Sequence, residues 1–121
     1  MNLGRFRYLY LGTKDTSASL TLYQQVFGGD LVWRFQKFGA DVGAIRFPRA
    51  PDMPVLIFAD HKPPGYVLPI FVVKEIDAWR KKFPQASTAE TPDGPCLLVE
   101  DLAGTKFGLL QEDRPNQLEH V

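Results

Sequence analysis

The residues RFRYLYLGTKD (5–15) are a run of aromatic and aliphatic side chains that predicts a strand. The periodicity then changes. Leu20, Tyr23, Val26 and Phe27 fall on one face of a helix, with Thr16 or Ser17 as N-cap and Gly28-Gly29 as its stop. Three strand-like runs follow: LVWRFQKF (31–38), DVGAIRFP (41–48) and PVLIFAD (54–60). Gly39-Ala40 and Arg49-Ala50-Pro51-Asp52 supply the turns between them.

The second half repeats this order. YVLPIFVV (66–73) predicts a strand, and KEIDAWRKKFP places Ile76, Trp79 and Phe83 at i, i+3 and i+7 before Pro84. Short strands are expected at 86–91, 96–101 and 105–111, with turns at Pro92-Asp93-Gly94-Pro95 and Ala103-Gly104. The polar tail, 112–121, is expected to fray or pack loosely. Strand, helix and three strands, written twice, give an α+β reading: one domain over 1–121, with modules at about 5–62 and 66–111.

Charge and composition remove several function classes. Lys plus Arg equals Asp plus Glu, at 14 each, so no net field favours nucleic acid or an anionic membrane. The basic run Arg80-Lys81-Lys82 reads as a solvated helix face. There is no apolar span of membrane length and no signal-peptide-like N-terminus. Cys96, the one cysteine, has no internal disulfide partner, which fits a reducing cytoplasm, and it reads as a small apolar strand residue. The sequence contains no motif of paired carboxylates, no nucleophile with a base, no phosphate-cradling loop and no Cys/His cluster.

Three segments resemble the vicinal oxygen chelate superfamily, the group of glyoxalase I, bleomycin-resistance proteins and extradiol dioxygenases. YLYLGTKDTSASLTLYQQVFGG is similar to that group's opening strand, helix and glycine stop. YVLPIFVVKEIDAW is similar to its fifth strand and second helix start, and VEDLAGTKFGLLQ to its closing strand. The resemblance implies two βαβββ modules curved around a cleft, often in a homodimer. It also implies four metal-ligand positions on the inner face, which fall at Tyr8, about Ile57, Leu68 and Gly108. Ile, Leu and Gly offer no donor and a neutral phenol is a poor one, so neither a metal nor another cofactor is expected.

Alternation places Phe6, Tyr10, Val55, Ala59, His61, Ile70, Val72, Lys106 and Leu110 on the same inner face. Leu9, Leu11, Phe71, Val73, Phe107 and Leu109 should then face the helices. An apolar, aromatic cleft with a few polar groups suits a small organic ligand. The expected ligand-binding set is Tyr8, Tyr10, Arg46, Ile57, His61, Leu68, Ile70 and Gly108, with Gly108 clearing space on the cleft floor and no catalytic residue assigned. Trp33 and Phe35 read as sheet core, with stacking on a ligand as the other reading. Asp15, Glu75, Asp77 and Asp101 read as caps and turn residues. The resulting expectation is a metal-free, cytoplasmic binding protein of the bleomycin-resistance type, holding an apolar or aromatic molecule in a homodimer. The alternative is a divergent enzyme of the superfamily, a glyoxalase-like lyase or isomerase, or a dioxygenase.

Overall fold

Two copies of one strand order meet in the middle of a single sheet. In the computed structural model, which describes residues 1–116, the first copy is β1 (Phe6–Gly12), α1 (Thr16–Gln25), β2 (Asp30–Lys37), β3 (Ala40–Arg46) and β4 (Val55–Ala59). The second is β5 (Val67–Val72), α2 (Ile76–Lys82), β6 (Ser87–Thr91), β7 (Gly94–Glu100) and β8 (Lys106–Leu110). The strands lie in the order β2-β3-β4-β1-β5-β8-β7-β6, curled into a half-barrel. β1 runs parallel to β4 and β5 parallel to β8, and the two halves join where β1 pairs antiparallel with β5. The modules therefore pair within one chain. His120 lies outside the described residues.

The inner face carries one cluster, built on Tyr8, Val42, Ala44, Ile57, Ala59, Leu68, Ile70, Cys96 and Leu110. The outer face carries two, each closed by a helix. Leu20 of α1 packs with Ile45, Leu56 and Phe58, with Leu9 and Leu11 against them. Ile76 of α2 packs with Val73, Leu97, Val99 and Leu109, with Phe107 against them. Strand alternation sorts these residues as the sequence predicts. Phe6, His61, Val72 and Lys106, expected on the inner face, do not join its cluster, nor does Phe71 join an outer one; the β1–β5 register shifts between Phe6 and Tyr8, so Phe6 pairs with Phe71 and their rings lie 5.1 Å apart.

The helix ends differ from the expected ones in instructive ways. Asp15, not Thr16 or Ser17, caps α1 by accepting from the Ala18 N–H at 3.1 Å. α1 stops at Gln25, so Val26 and Phe27 leave the packed face and are exposed. Glu75 precedes α2 in a left-handed conformation and makes no cap bond; the Gln111 side chain accepts the Ile76 N–H instead, at 2.9 Å. Asp101 behaves as a turn residue, accepting from the Ala103 and Thr105 N–H groups at 2.9 Å each. The start of the tail does not fray. Glu112 pairs with Arg5 at 2.9 Å and Arg7 at 3.3 Å, and Asn116 is buried.

Candidate functional site

The curl of the sheet leaves a cavity of about 540 Å³ on its inner face. Tyr8 and Tyr10 of β1 enter its wall because they are two residues apart on one strand. Ile57 of β4 and Ile70 of β5 flank them, since Tyr10 pairs with Ile57 and Tyr8 with Ile70. Trp33 and Phe35 of β2, with Val42 of β3, complete one side; Cys96 of β7 and Leu110 of β8 complete the other. The stacking reading of Trp33 and Phe35 thus has a physical basis, although Trp33 also packs against the inner-face cluster.

The polar part of the wall comes from a turn and the tail, and the sequence does not announce it. Glu90, Thr91, Pro92 and Asp93 precede or form the β6–β7 turn, and Asn116 lies beside them. Thr91 shapes the turn: its Oγ1 donates to the Gly94 carbonyl at 2.7 Å and accepts from the Asp93 and Gly94 N–H groups at 3.2 Å each. Gly94 has φ of +143°, and a Cβ there would lie 2.1 Å from the Gln111 carbonyl oxygen, so only glycine fits. Arg114 holds the turn from the tail, donating to the Thr91 carbonyl at 2.7 Å and to Glu90 at 2.9 Å.

This turn delivers Asp93, only 3% exposed, to Tyr8. The Tyr8 hydroxyl donates to Asp93 Oδ2 at 2.8 Å, and Asn116 Nδ2 donates to the same oxygen at 3.3 Å and to the Tyr8 hydroxyl at 3.5 Å. The Arg7 guanidinium stacks on the Tyr8 ring at 4.2 Å and lies 3.9 Å from Asp93 Oδ1. Burial pushes the Tyr8 phenol far above its usual range, against the pull of Arg7, so it remains a donor. Tyr10 is pushed up to about 12 by burial, with Tyr66 adding to the effect. Its hydroxyl lies 3.2 Å from Nε2 of His61, an exposed residue between β4 and β5. Burial likewise lifts the Cys96 thiol to about 11.

The expected ligand-binding residues divide accordingly. Tyr8, Tyr10, Ile57 and Ile70 line the cavity, and His61 reaches it only through Tyr10. Leu68 is buried in the same cluster but borders a different groove, with Tyr66 and Lys106. Arg46 sits at the exposed end of β3, in a groove with Arg5, Phe47 and Met53, outside the cavity. Gly108 does not open the floor. A Cβ there would meet Ile70 Cγ1 at 3.0 Å and Cys96 Sγ at 3.1 Å, because those side chains already occupy the space.

The four superfamily ligand positions do not fit a metal ion. Ile57, Leu68 and Gly108 carry no donor atom, and the Tyr8 phenol is held protonated by burial. Among the described residues there is also no group of three His, Cys, Asp or Glu side chains placed to hold one. No helix is long and apolar enough to cross a membrane among the described residues.

No family model matches the chain, and no curated protein matches it. Its fold does match solved structures. The methylmalonyl-CoA epimerase of Mycobacterium tuberculosis superposes with a TM-score of 0.70 at 10% identity, covering 91% of this chain and 89% of that one. A Streptomyces coelicolor methylmalonyl-CoA epimerase variant, in complex with 2-nitronate-propionyl-CoA, gives 0.68 at 12% identity, covering 93% and 100%. A hypothetical protein of Bacillus halodurans C-125 gives 0.66 at 10% identity, covering 92% and 96%. At such identities the likeness speaks to architecture, and the architecture is plain: this chain has the vicinal oxygen chelate fold.

Proposed function

We propose that the chain is a divergent enzyme of the vicinal oxygen chelate fold that binds a small organic carbonyl compound in the inner-face cavity and moves a proton on it without a metal. The observation that carries this reading is Asp93, a buried carboxyl fixed by Tyr8 and Asn116 on the wall of a largely apolar cavity. Burying such a group is costly, and a buried ionisable group in a cleft marks a candidate site. The epimerases that share the fold support the enzyme reading over simple sequestration.

In its carboxylate form Asp93 is the proton acceptor. Tyr8 and Asn116 orient its oxygens, and the apolar walls exclude water. A C–H bond next to the ligand's carbonyl breaks, its proton passes to Asp93, and the electron pair is held as the enolate. Tyr10 is the second proton-carrying group, and its contact with His61 connects it to solvent. Return of a proton to the enolate carbon from Asp93 regenerates the carboxylate; return from Tyr10 completes an isomerisation, after which the phenolate takes a proton back through His61 and Asp93 releases the one it holds to solvent as the product leaves.

A panel of aryl ketones and short acyl thioesters in D₂O, followed by proton NMR, tests the assignment. Wild-type protein is expected to speed deuterium entry next to the carbonyl of at least one compound, and Asp93→Asn, if still folded by its melting curve, to abolish it. Tight binding of panel members with no exchange in any of them would return the chain to the second reading, a carrier. The apolar walls and the saturated Tyr8 hydroxyl favour that reading. A homodimer and a cytoplasmic setting remain part of the proposal.

A further inference from the structure

The inner face continues past the cavity, and the residues at the crossing fix how far a ligand can extend; the deduction rests on the reading of the cavity as the binding site. Tyr10 lines the cavity, while Leu68, its partner on β5, lines the neighbouring groove with Tyr66 and Lys106. The Tyr66 ring meets the Tyr10 ring edge-on at 6.3 Å, so cavity and groove adjoin across this pair.

Charge divides along the same line. The cavity wall carries two carboxyls, Glu90 and Asp93, and neither Lys nor Arg among the described residues. Beyond Tyr10 the sign reverses. The ammonium groups of Lys62 and Lys106 lie 4.9 Å and 6.0 Å from the centre of the Tyr66 ring. Neither makes an ion pair among the described residues. Glu100 stands opposite Lys106 in the β7–β8 register without forming an ion pair with it, and the Asp101 carboxylate is taken by the Ala103 and Thr105 N–H groups. Two ammonium groups at one ring repel each other, and an anion within reach of both relieves that repulsion. The separation of the two ends follows from β1. The Tyr66 carbonyl accepts the Gly12 N–H at 2.9 Å, four residues along the strand from Tyr8, or about 13 Å.

We propose that the ligand has two parts: a carbonyl head that enters the cavity beside Asp93 and Tyr8, and a flexible arm that runs out past Tyr10 to a carboxylate or phosphate held by Lys62 and Lys106. The head is uncharged and keeps a C–H bond next to its carbonyl. An anion nearer the carbonyl would be drawn into apolar surroundings beside the two carboxyls. Lys62 and Lys106 are thus specificity-determining residues, supplying binding remote from the reacting carbon.

Three ketones test this: 10-oxoundecanoate, whose chain ends in a carboxylate; 2-undecanone, with the same number of carbons and a methyl in that place; and 10-oxoundecyl phosphate. Calorimetric titration at low salt should show at least one of the anions binding about fivefold more tightly than 2-undecanone, the tighter one naming the anion. The preference should vanish in about 0.5 M KCl, where exposed charges are screened. It should also vanish in the double variant Lys62→Gln, Lys106→Gln, while 2-undecanone binds as before. Lys106 is exposed and Lys62 half-buried, so the fold should tolerate both changes. Equal affinities, a preference for 2-undecanone, or a preference that survives the salt and the double variant would overturn the anionic arm while leaving the cavity as a site. The expected preference without deuterium entry beside the ketone would uphold the arm and return the chain to a carrier. Failure of all three ketones to bind would overturn the cavity reading itself, and the inference with it.

Discussion

Replacing Tyr8 by Phe removes one hydroxyl and almost no volume, so it isolates the bond to Asp93. That bond is 2.8 Å long and both residues are 3% exposed. A hydrogen bond to a charged group contributes about 1.5–3 kcal/mol net, and its loss strands a buried acceptor. Asp93 keeps the longer Asn116 contact at 3.3 Å and the Arg7 guanidinium at 3.9 Å, which offset part of the loss. The expected destabilisation is therefore about 2 kcal/mol, or a fall in melting temperature of roughly 6–10 °C for a chain of this size. Urea denaturation of Tyr8→Phe, Asp93→Asn and the double variant measures it, through midpoints at unchanged slope. The double variant should be less destabilised than the sum of the singles by about 1 kcal/mol or more, the mark of a direct contact. A loss below about 0.3 kcal/mol in Tyr8→Phe, or strict additivity, would refute the claim that this pair is locked together in the interior.

Other expectations follow from the same wall. Gly108→Ala should lower stability by about 1 kcal/mol, overpacking against Ile70 and Cys96 outweighing the gain in chain stiffness; an unchanged melting temperature would mean the space is open after all. Native Cys96, with its thiol at about 11, should react with a thiol reagent at pH 8 about a hundredfold more slowly than the unfolded chain, as timed reactions with and without urea would show. Tyr10 keeps its proton in the folded state up to about 12, above the ordinary phenol value of about 10. Its contribution to stability is therefore complete below pH of about 10 and is lost as the pH rises towards about 12; urea midpoints across that window should fall less steeply in Tyr10→Phe.

Much of the fold was legible because strand alternation and two helical faces are local signals. Leu9, Leu11, Phe107 and Leu109 met the helices, and Tyr8, Ile57 and Ile70 met one another, as their parity requires. The errors came where a local rule met a tertiary event. A register shift paired Phe6 with Phe71 and left it out of the inner-face cluster, and a long-range bond to Gln111 replaced the expected Glu75 cap. The polar half of the site was hidden for the same reason. Asp93 sits in a Pro-Asp-Gly-Pro turn, whose local explanation is sufficient, and nothing in spacing ties it to Tyr8, 85 positions earlier. Asn116 belongs to a tail whose polarity reads as solvent exposure, yet it is 5% exposed. Gly108 misled in the opposite direction: a missing side chain suggested empty space, and Ile70 and Cys96 had filled it.

This chain has the vicinal oxygen chelate fold, and under the proposed function its own side chains move the proton in the cavity without a metal. The most direct test is a divalent-metal titration of chelator-stripped protein with Mn²⁺, Fe²⁺, Co²⁺, Ni²⁺ and Zn²⁺, read by melting temperature and native mass spectrometry. A specific site saturated a thousandfold above its dissociation constant would add about 4 kcal/mol of stability, an unmistakable shift. No shift and no stoichiometric adduct are expected with any of the five. One metal bound per chain, with a melting temperature raised in proportion to its concentration, would contradict the proposal.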